Sequence, residues 1–280
     1  MSLIHKIVQK LLGSKKFKGR DFLIEKLPQW FLPQPKGKVV VKTNFGFKIQ
    51  IDPTFDKNIE NVIYQRGVYE LGTLTVLQSL LKQGDVFVDV GANIGFLSLA
   101  GAYKVGKEGK VYAFEPVPDT FEMLKINKTI NQFAQIKLTQ VALGNKEKEE
   151  TIYSETENRG GASIINHTSK KGIKIKVKRL DDINIIEKIN IIKIDVEGFE
   201  FEVLKGAEKT IKKDKPVLII EYSKMRANSA KDLEIYEWIK SFNFYKIYKL
   251  RFGKERPSEL IEIKSSKDLP EHDNIFCMAK

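Results

Sequence analysis

The chain is short of the residues that most often carry covalent and metal chemistry. It has one cysteine, Cys277, and three histidines in 280 residues. A single thiol excludes an intrachain disulfide framework and a cysteine-based zinc site, and makes the cytoplasm the expected compartment. No apolar run approaches the ~18 residues of a membrane-spanning helix. The N-terminus lacks a compact apolar core and a small-residue cleavage site, so it reads as mature sequence and not as a signal peptide. No internal repeat is visible.

What is present is charge. With 42% hydrophobic and 30% charged residues the chain is globular, not disordered, and long enough for one large domain or two small ones. Lys and Arg number 48 against 36 Asp and Glu, a net +12, which brings nucleic acid, an anionic membrane surface and an acidic substrate into question. More than half of the excess lies in residues 1–38, where nine basic residues face only Asp21 and Glu25. The excess is mostly lysine, which a compositional bias of the source genome explains equally well.

The first segment, Leu3-Ile4, Ile7-Val8 and Leu11-Leu12 with Lys6 and Lys10 opposite, predicts a short basic amphipathic helix closed by Gly13. Packing against the body of the protein or a second subunit is its expected role, with an anionic membrane face as the alternative. Pro28, Pro33 and Pro35 break the chain, and alternation around Thr43-Asn44 predicts a β-hairpin. Residues 1–56 are thus set apart from a domain spanning 57–280. In that domain the periodicity predicts helices at 57–66, 69–82, 94–104, 118–130, 181–187, 199–212 and 230–241. Strands are expected at 85–90, 110–114, 136–142, 151–153, 173–178, 189–194, 217–220, 244–250 and 274–279, with a turn at 145–150 and a loop over 154–172. Apolar strands alternating with amphipathic helices indicate an α/β fold, a mostly parallel sheet with helices on both faces.

In such sheets ligands bind beyond the carboxyl ends of the strands, where strand order reverses. The first domain strand ends in Asp89-Val90-Gly91-Ala92-Asn93-Ile94-Gly95. Gly91 and Gly95 allow a tight turn close to a ligand, and Asn93 can cap the following helix. The next strand ends in Phe114-Glu115-Pro116, which puts Glu115 20 residues after Gly95, where an acid takes a ribose diol. The glycine spacing is Gly-x-x-x-Gly and not the Gly-x-Gly-x-x-Gly of dinucleotide sites. An acid just before the turn suits a cationic ligand, and S-adenosylmethionine is one, whereas a pyrophosphate would be repelled. The fourth strand runs into Asp195-Val196-Glu197-Gly198. These two acids can act as a general base for a substrate hydroxyl, as ligands for a divalent cation such as Mg2+, or as a helix cap and first-turn acid.

These stretches, together with Gly67-Val68-Tyr69-Glu70, Val141-Ala142-Leu143-Gly144, Gly160-Gly161-Ala162-Ser163, Leu180-Asp181 and Leu204-Lys205-Gly206-Ala207, resemble the FkbM family of S-adenosylmethionine-dependent methyltransferases over about residues 57–222. The resemblance implies a class I methyltransferase, Rossmann-like fold, with a seven-stranded mostly parallel sheet and an antiparallel last strand, here joined to the N-terminal helix and hairpin. It implies O-methylation of a sugar or glycan hydroxyl. Asp89, Gly91, Asn93 and Gly95 would then wrap the methionine part, and Glu115 the ribose. Phe114, Pro116, Val141 and Ala142 would border the adenine, and Glu70 would hold the cofactor amino group. Asp195 and Glu197 would line the acceptor side. Lys178-Arg179 precedes Leu180-Asp181 where the family usually has Thr, a departure at that edge of the acceptor pocket.

Methyl transfer is an in-line displacement, so the protein chiefly aligns an oxygen with the methyl and assists loss of its proton. Asp195 is the expected base, His167 the second candidate. Nucleic-acid methylation is the competing activity. It is disfavoured by Asp195-Val196-Glu197-Gly198 where an amine methylase would carry Pro-Pro and an aromatic, and by the position of Cys277 in the last strand. A non-catalytic cofactor- or glycan-binding protein is the third reading. The expected partners are a glycan acceptor, no nucleic acid, and a membrane face or second subunit at the N-terminal helix; the expected location is cytoplasmic, with a position peripheral to the inner face of a membrane as the alternative.

Overall fold

The computed structural model describes residues 7, 32–33, 35–155, 158–163, 171–224 and 229–280. Apart from Ile7, the expected N-terminal helix lies outside the described residues, as does His167.

The hairpin is formed by β1 (Val39–Lys42) and β2 (Lys48–Ile51), paired antiparallel around a turn in which the Thr43 hydroxyl donates to Phe47 O at 2.8 Å. Its open edge is covered by a helix, α4 (Pro118–Asn131), through two asparagines one turn apart. Asn131 accepts from Lys48 N at 2.7 Å and donates to Lys48 O at 2.6 Å, and Asn127 does the same for Gln50 at 2.6 and 3.1 Å. Each amide reads one N–H and one C=O of the edge strand, as a neighbouring strand would, and so protects it. Asn127 also donates to Ile94 O at 2.9 Å, which ties hairpin and helix to the glycine turn.

The remaining elements before the second sheet are α1 (Ile59–Arg66), α2 (Leu71–Leu80), β3 (Val86–Val90), α3 (Phe96–Val105), β4 (Lys110–Phe114) and β5 (Ile136–Thr139). After it come β10 (Ile191–Ile194), α5 (Glu200–Gly206), α6 (Glu208–Asp214), β11 (Val217–Ser223), α7 (Ser229–Ser241), β12 (Tyr245–Leu250), β13 (Leu260–Glu262) and β14 (His272–Ala279). The main sheet has the order β13-β12-β14-β11-β10-β3-β4-β5. Strands β5, β4, β3, β10 and β11 run parallel, and β14 lies antiparallel between β11 and β12. Every residue of β3 and β10 is buried, as the near-continuous apolar runs of strands covered on both faces require. Alternate residues feed two cores. Phe87 joins Leu74, Leu99 and Leu124 on one face, while Val86, Val88 and Val90 join Val203, Leu204, Ile211 and Ile239 on the other. Chain order leaves β3 toward β4 and β5, then returns to its other side at β10. That reversal is the switch point.

The seven expected strands of this sheet are there, and an eighth, the short β13, extends its edge beyond β12. Three expectations are corrected. Residues 181–187 hold one 3-10 turn, Leu180–Asp182, and no α-helix. Instead, the Asp181 carboxylate accepts from Lys209 N and Thr210 N at 3.0 and 2.9 Å, capping the start of α6. The single helix over 199–212 is two, α5 and α6, broken at Ala207. The turn at 145–150 and the loop over 154–172 belong largely to strands of a second sheet, with β6 (Ala142–Leu143), β7 (Lys148–Glu155), β8 (Asn158–Ser163) and β9 (Lys171–Lys178) in the order β6-β9-β7-β8. On β9, Lys174 and Lys176 are exposed while Ile175 and Val177 are buried against Ile152 and Val117. The lysine alternation is therefore a solvated strand face.

Candidate active site

A single cleft opens at the switch point, floored by the ends of β3, β4 and β10 and roofed by the second sheet through Ile152, Arg159 and Gly160. After β3 the backbone enters the left-handed region three times in five residues, at Gly91 (φ 78°), Asn93 (φ 51°) and Gly95 (φ 94°). Gly91 has no substitute. A Cβ there would lie 1.9 Å from Asp195 O, so the ends of β3 and β10 touch through bare backbone. A Cβ on Gly95 would meet Leu124 at 2.4 Å, so this glycine seats the turn on α4 and is not part of the cleft wall.

Of the residues expected from sequence, Asp89, Gly91, Asn93, Phe114, Glu115, Pro116, Val141, Ala142, Asp195 and Glu197 line this one cleft. Glu115 Oε2 accepts from Asn93 N at 3.0 Å and Oε1 from Val117 N at 2.9 Å. Burial pushes its pKa up to about 7, against those two backbone donors. Asp89 is 1% exposed, its Oδ2 takes the Ser98 hydroxyl at 2.5 Å, and its Oδ1 has no hydrogen-bond partner. Burial likewise raises its pKa, opposed by Lys193.

Glu70 is elsewhere. Its buried carboxylate accepts from Asn274 Nδ2 at 3.1 Å and pairs with Lys254 Nζ at 3.1 Å, and its neighbour Tyr69 lines the cleft instead. Nor does Asp195 cap the following helix. The turn amides of Val196 and Gly198 both donate to Glu200 Oε1, each at 3.1 Å, and this leaves Asp195 and Glu197 on the cleft wall. Glu197 holds a left-handed φ of 55°.

Three charged residues missed in the sequence stand around Asp195 and Glu197; Lys193 and Glu221 line the cleft, and Lys254 pairs with Glu221. Lys193 stands level with Asp89 across the β3–β10 pair and donates to Asp195 Oδ2 at 2.8 Å. Glu221, at the end of β11, brings a carboxylate oxygen within 4.8 Å of those of Asp195 and Glu197. Lys254, from the β12–β13 turn, reaches Glu221 Oε1 at 2.7 Å. Its backbone carbonyl accepts from Gly72 N and Thr73 N at the start of α2, at 2.8 and 3.3 Å, which fixes its direction. Burial pushes the Asp195 pKa up, but Lys193 and Lys254 outweigh it and hold the carboxyl well below the usual range. Lys193 is legible in retrospect as a charge inside an apolar strand. Glu221 and Lys254 carry no local signal, because pairing across 33 residues brings them together.

A five-strand parallel half continued by an antiparallel last strand, with the cleft at the glycine turn after its first strand, is the class I methyltransferase, Rossmann-like arrangement. Residues 89–245 match the model of the methyltransferase FkbM domain, and the chain belongs to that family. Among curated proteins it is 29% identical over 163 residues to methyltransferase sdnD of Sordaria araneosa, covering 46% of this chain and 62% of that one. It is 32% identical over 139 residues to the hexuronic acid methyltransferase AglP of Haloferax volcanii, covering 48% and 56%. The match thus spans about three fifths of the length of these relatives. Among solved structures, an FkbM methyltransferase from Methylobacillus flagellatus KT aligns with a TM-score of 0.47 at 23% identity, covering 78% of this chain and 52% of that one.

Proposed function

We propose that the chain is an S-adenosylmethionine-dependent O-methyltransferase acting on a hydroxyl of a sugar or glycan. The observation that carries the cofactor is Asp89, a buried acid at the cleft floor with one oxygen lacking a hydrogen-bond partner. Such an atom calls for a donor or cation from the ligand, and the cofactor's α-amino group meets that demand. Glu115 suits the ribose hydroxyls, and Phe114, Pro116, Val141 and Ala142 form the apolar border for the base. When bound, the cofactor supplies an electrophilic methyl group.

Asp195 works in this reading as a hydrogen-bond acceptor that aims the acceptor hydroxyl. A carboxylate held this acidic cannot strip a sugar hydroxyl beforehand. It can take the proton once the new C–O bond has formed, since a protonated ether is a far stronger acid. Glu197 and Glu221 complete the acceptor wall. A divalent ion bound by Asp195 and Glu197 fits poorly, because Lys193 and Lys254 already supply positive charge to Asp195 and Glu221 at 2.8 and 2.7 Å.

The acidic acceptor wall disfavours a polyanion, and the hexuronic acid methyltransferase among the relatives supports a sugar. No helix of the described residues is long and apolar enough to cross a membrane. The hairpin is packed into the core of the domain, so the contact with a membrane face or second subunit of a cytoplasmic enzyme is proposed only for the basic segment at its N-terminal side. The test is methyl-labelled S-adenosylmethionine offered with neutral sugars, uronic acids and RNA. Label in a sugar ether supports the proposal, and label in RNA alone overturns it.

A further inference from the structure

Beside the cleft lies a second hollow of about 270 Å3, walled by Lys38, Phe55, Asp119 and Glu122 over Met123. Water takes roughly 30 Å3 a molecule in the liquid, so this space is on the scale of a sugar ring and not of one solvent molecule. Arg159 forms a wall of both the hollow and the cleft.

The Arg159 side chain is nine-tenths buried and firmly held. Its Nε bonds Glu60 Oε1 at 2.7 Å, its backbone N donates to Asp56 Oδ2 at 2.9 Å, and its guanidinium lies 4.4 Å from the centre of the Phe55 ring. No described residue engages its two Nη nitrogens in a hydrogen bond. A guanidinium fixed in this way presents a rigid fork of donors. Phe55 keeps 37% of its surface exposed, and Glu122 keeps 61% of its side chain.

Charge decides the ligand class. Lys38, Lys125 and Arg159 face Asp119, Glu122, Asp56 and Glu60, and the Lys125 ammonium bonds both Glu122 oxygens at 2.9 and 3.1 Å. With no positive excess the hollow is unsuited to phosphate or nucleic acid. An open aromatic ring beside paired donors and acceptors is the chemistry that takes a sugar, apolar C–H groups on the ring and hydroxyls on the charged groups.

We propose that this hollow is a subsite for a second sugar unit of the acceptor, joined to the methyl-transfer cleft through Arg159, so that the enzyme prefers an oligosaccharide to a monosaccharide. The inference rests on the sugar-hydroxyl reading above. Its test compares methyl glycosides of glucose, galactose and glucuronic acid with their 1,4-linked disaccharides, using labelled cofactor. The disaccharide of the sugar that is methylated should show a kcat/KM at least about tenfold higher than its monosaccharide. Phe55→Ala and Glu122→Ala should each remove most of that gain and leave monosaccharide methylation unchanged. Equal values for the two lengths, or a gain that survives both variants, would overturn the subsite alone. Labelling of no sugar by protein that binds the cofactor would overturn the parent reading and the subsite with it.

Discussion

Asp195 and Lys193 sit two residues apart at one strand end, and their pairing changes the role the sequence suggests for the acid. A carboxylate held far below its usual pKa stays ionised across the working range, so in the proposed reaction its contribution is orientation and late proton capture. Asp195→Asn should therefore cut kcat by at least about a hundredfold, the usual scale for a lost proton acceptor, while cofactor affinity by calorimetry stays within about twofold. Near-normal turnover in this variant would remove Asp195 from the reaction. Glu115 behaves in the opposite sense. With its pKa pushed up to about 7 by burial, it is largely neutral at pH 6 and largely ionised at pH 8. Cofactor affinity should rise across that interval, because the ionised form binds hydroxyl donors more strongly. Glu115→Gln should flatten the profile and weaken binding at pH 8 by about tenfold, about 1.4 kcal/mol. Unchanged affinity at both pH values would separate Glu115 from the ribose.

Among the elements, the long periodic helices and the apolar parallel strands were legible, since one face of a helix or both faces of a strand declare burial through composition alone. Residues 181–187 misled because Ile183, Ile185 and Ile186 suggest the apolar face of a helix, whereas Ile183 and Ile185 are only partly buried and Ile186 is 79% exposed. Their order is set by Asp181 reaching α6, a contact across 28 residues. The second sheet was missed for a similar reason. Strands at 151–153 and 173–178 were expected from their apolar alternation, but Asn158–Ser163 carries none, and the pairing of four strands into one sheet has no local signal. The Gly91 turn was read correctly as a tight approach, but what it approaches, the Asp195 carbonyl, was not visible. Gly91→Ala tests that contact. The added Cβ falls 1.9 Å from Asp195 O at a φ of 78°, so backbone strain of about 1–3 kcal/mol is joined by a backbone clash. Gly37→Ala, at φ 67° with nothing within 4 Å of its Cβ, carries the strain only. Gly91→Ala should lower Tm by several degrees more than Gly37→Ala and abolish cofactor binding. Equal shifts would show that the strand ends do not depend on this contact.

Taken whole, the molecule carries its basic surplus largely outside the site and concentrates acids within it. The cleft's strand-end acids could be read from sequence, whereas Lys254, Glu221 and Arg159 required the tertiary pairing that brings distant segments together. Burying acids, in the cleft and beside it, has a cost that depends on pH. Glu60 and Glu115 are 0% and 6% exposed, and burial raises both to about 7 from 4.5. A group whose pKa is higher folded than unfolded supports the fold fully below the unfolded value, and that support is lost as pH rises through the folded value. Each raised acid therefore withdraws stability between about pH 4.5 and 7, by an amount of about 3 kcal/mol at most. Asp195 and Glu187, lowered by their lysine partners, act in the opposite direction, but only at pH values below the ordinary carboxylate range. The cofactor-free protein should consequently unfold at a higher urea concentration at pH 5 than at pH 8. Glu60→Gln, which fixes the neutral form, should raise the midpoint at pH 8 and leave pH 5 nearly unchanged. A midpoint that is flat or rising from pH 5 to pH 8 in the parent chain would mean that these acids are solvated in solution and that the cleft is more open than its geometry indicates.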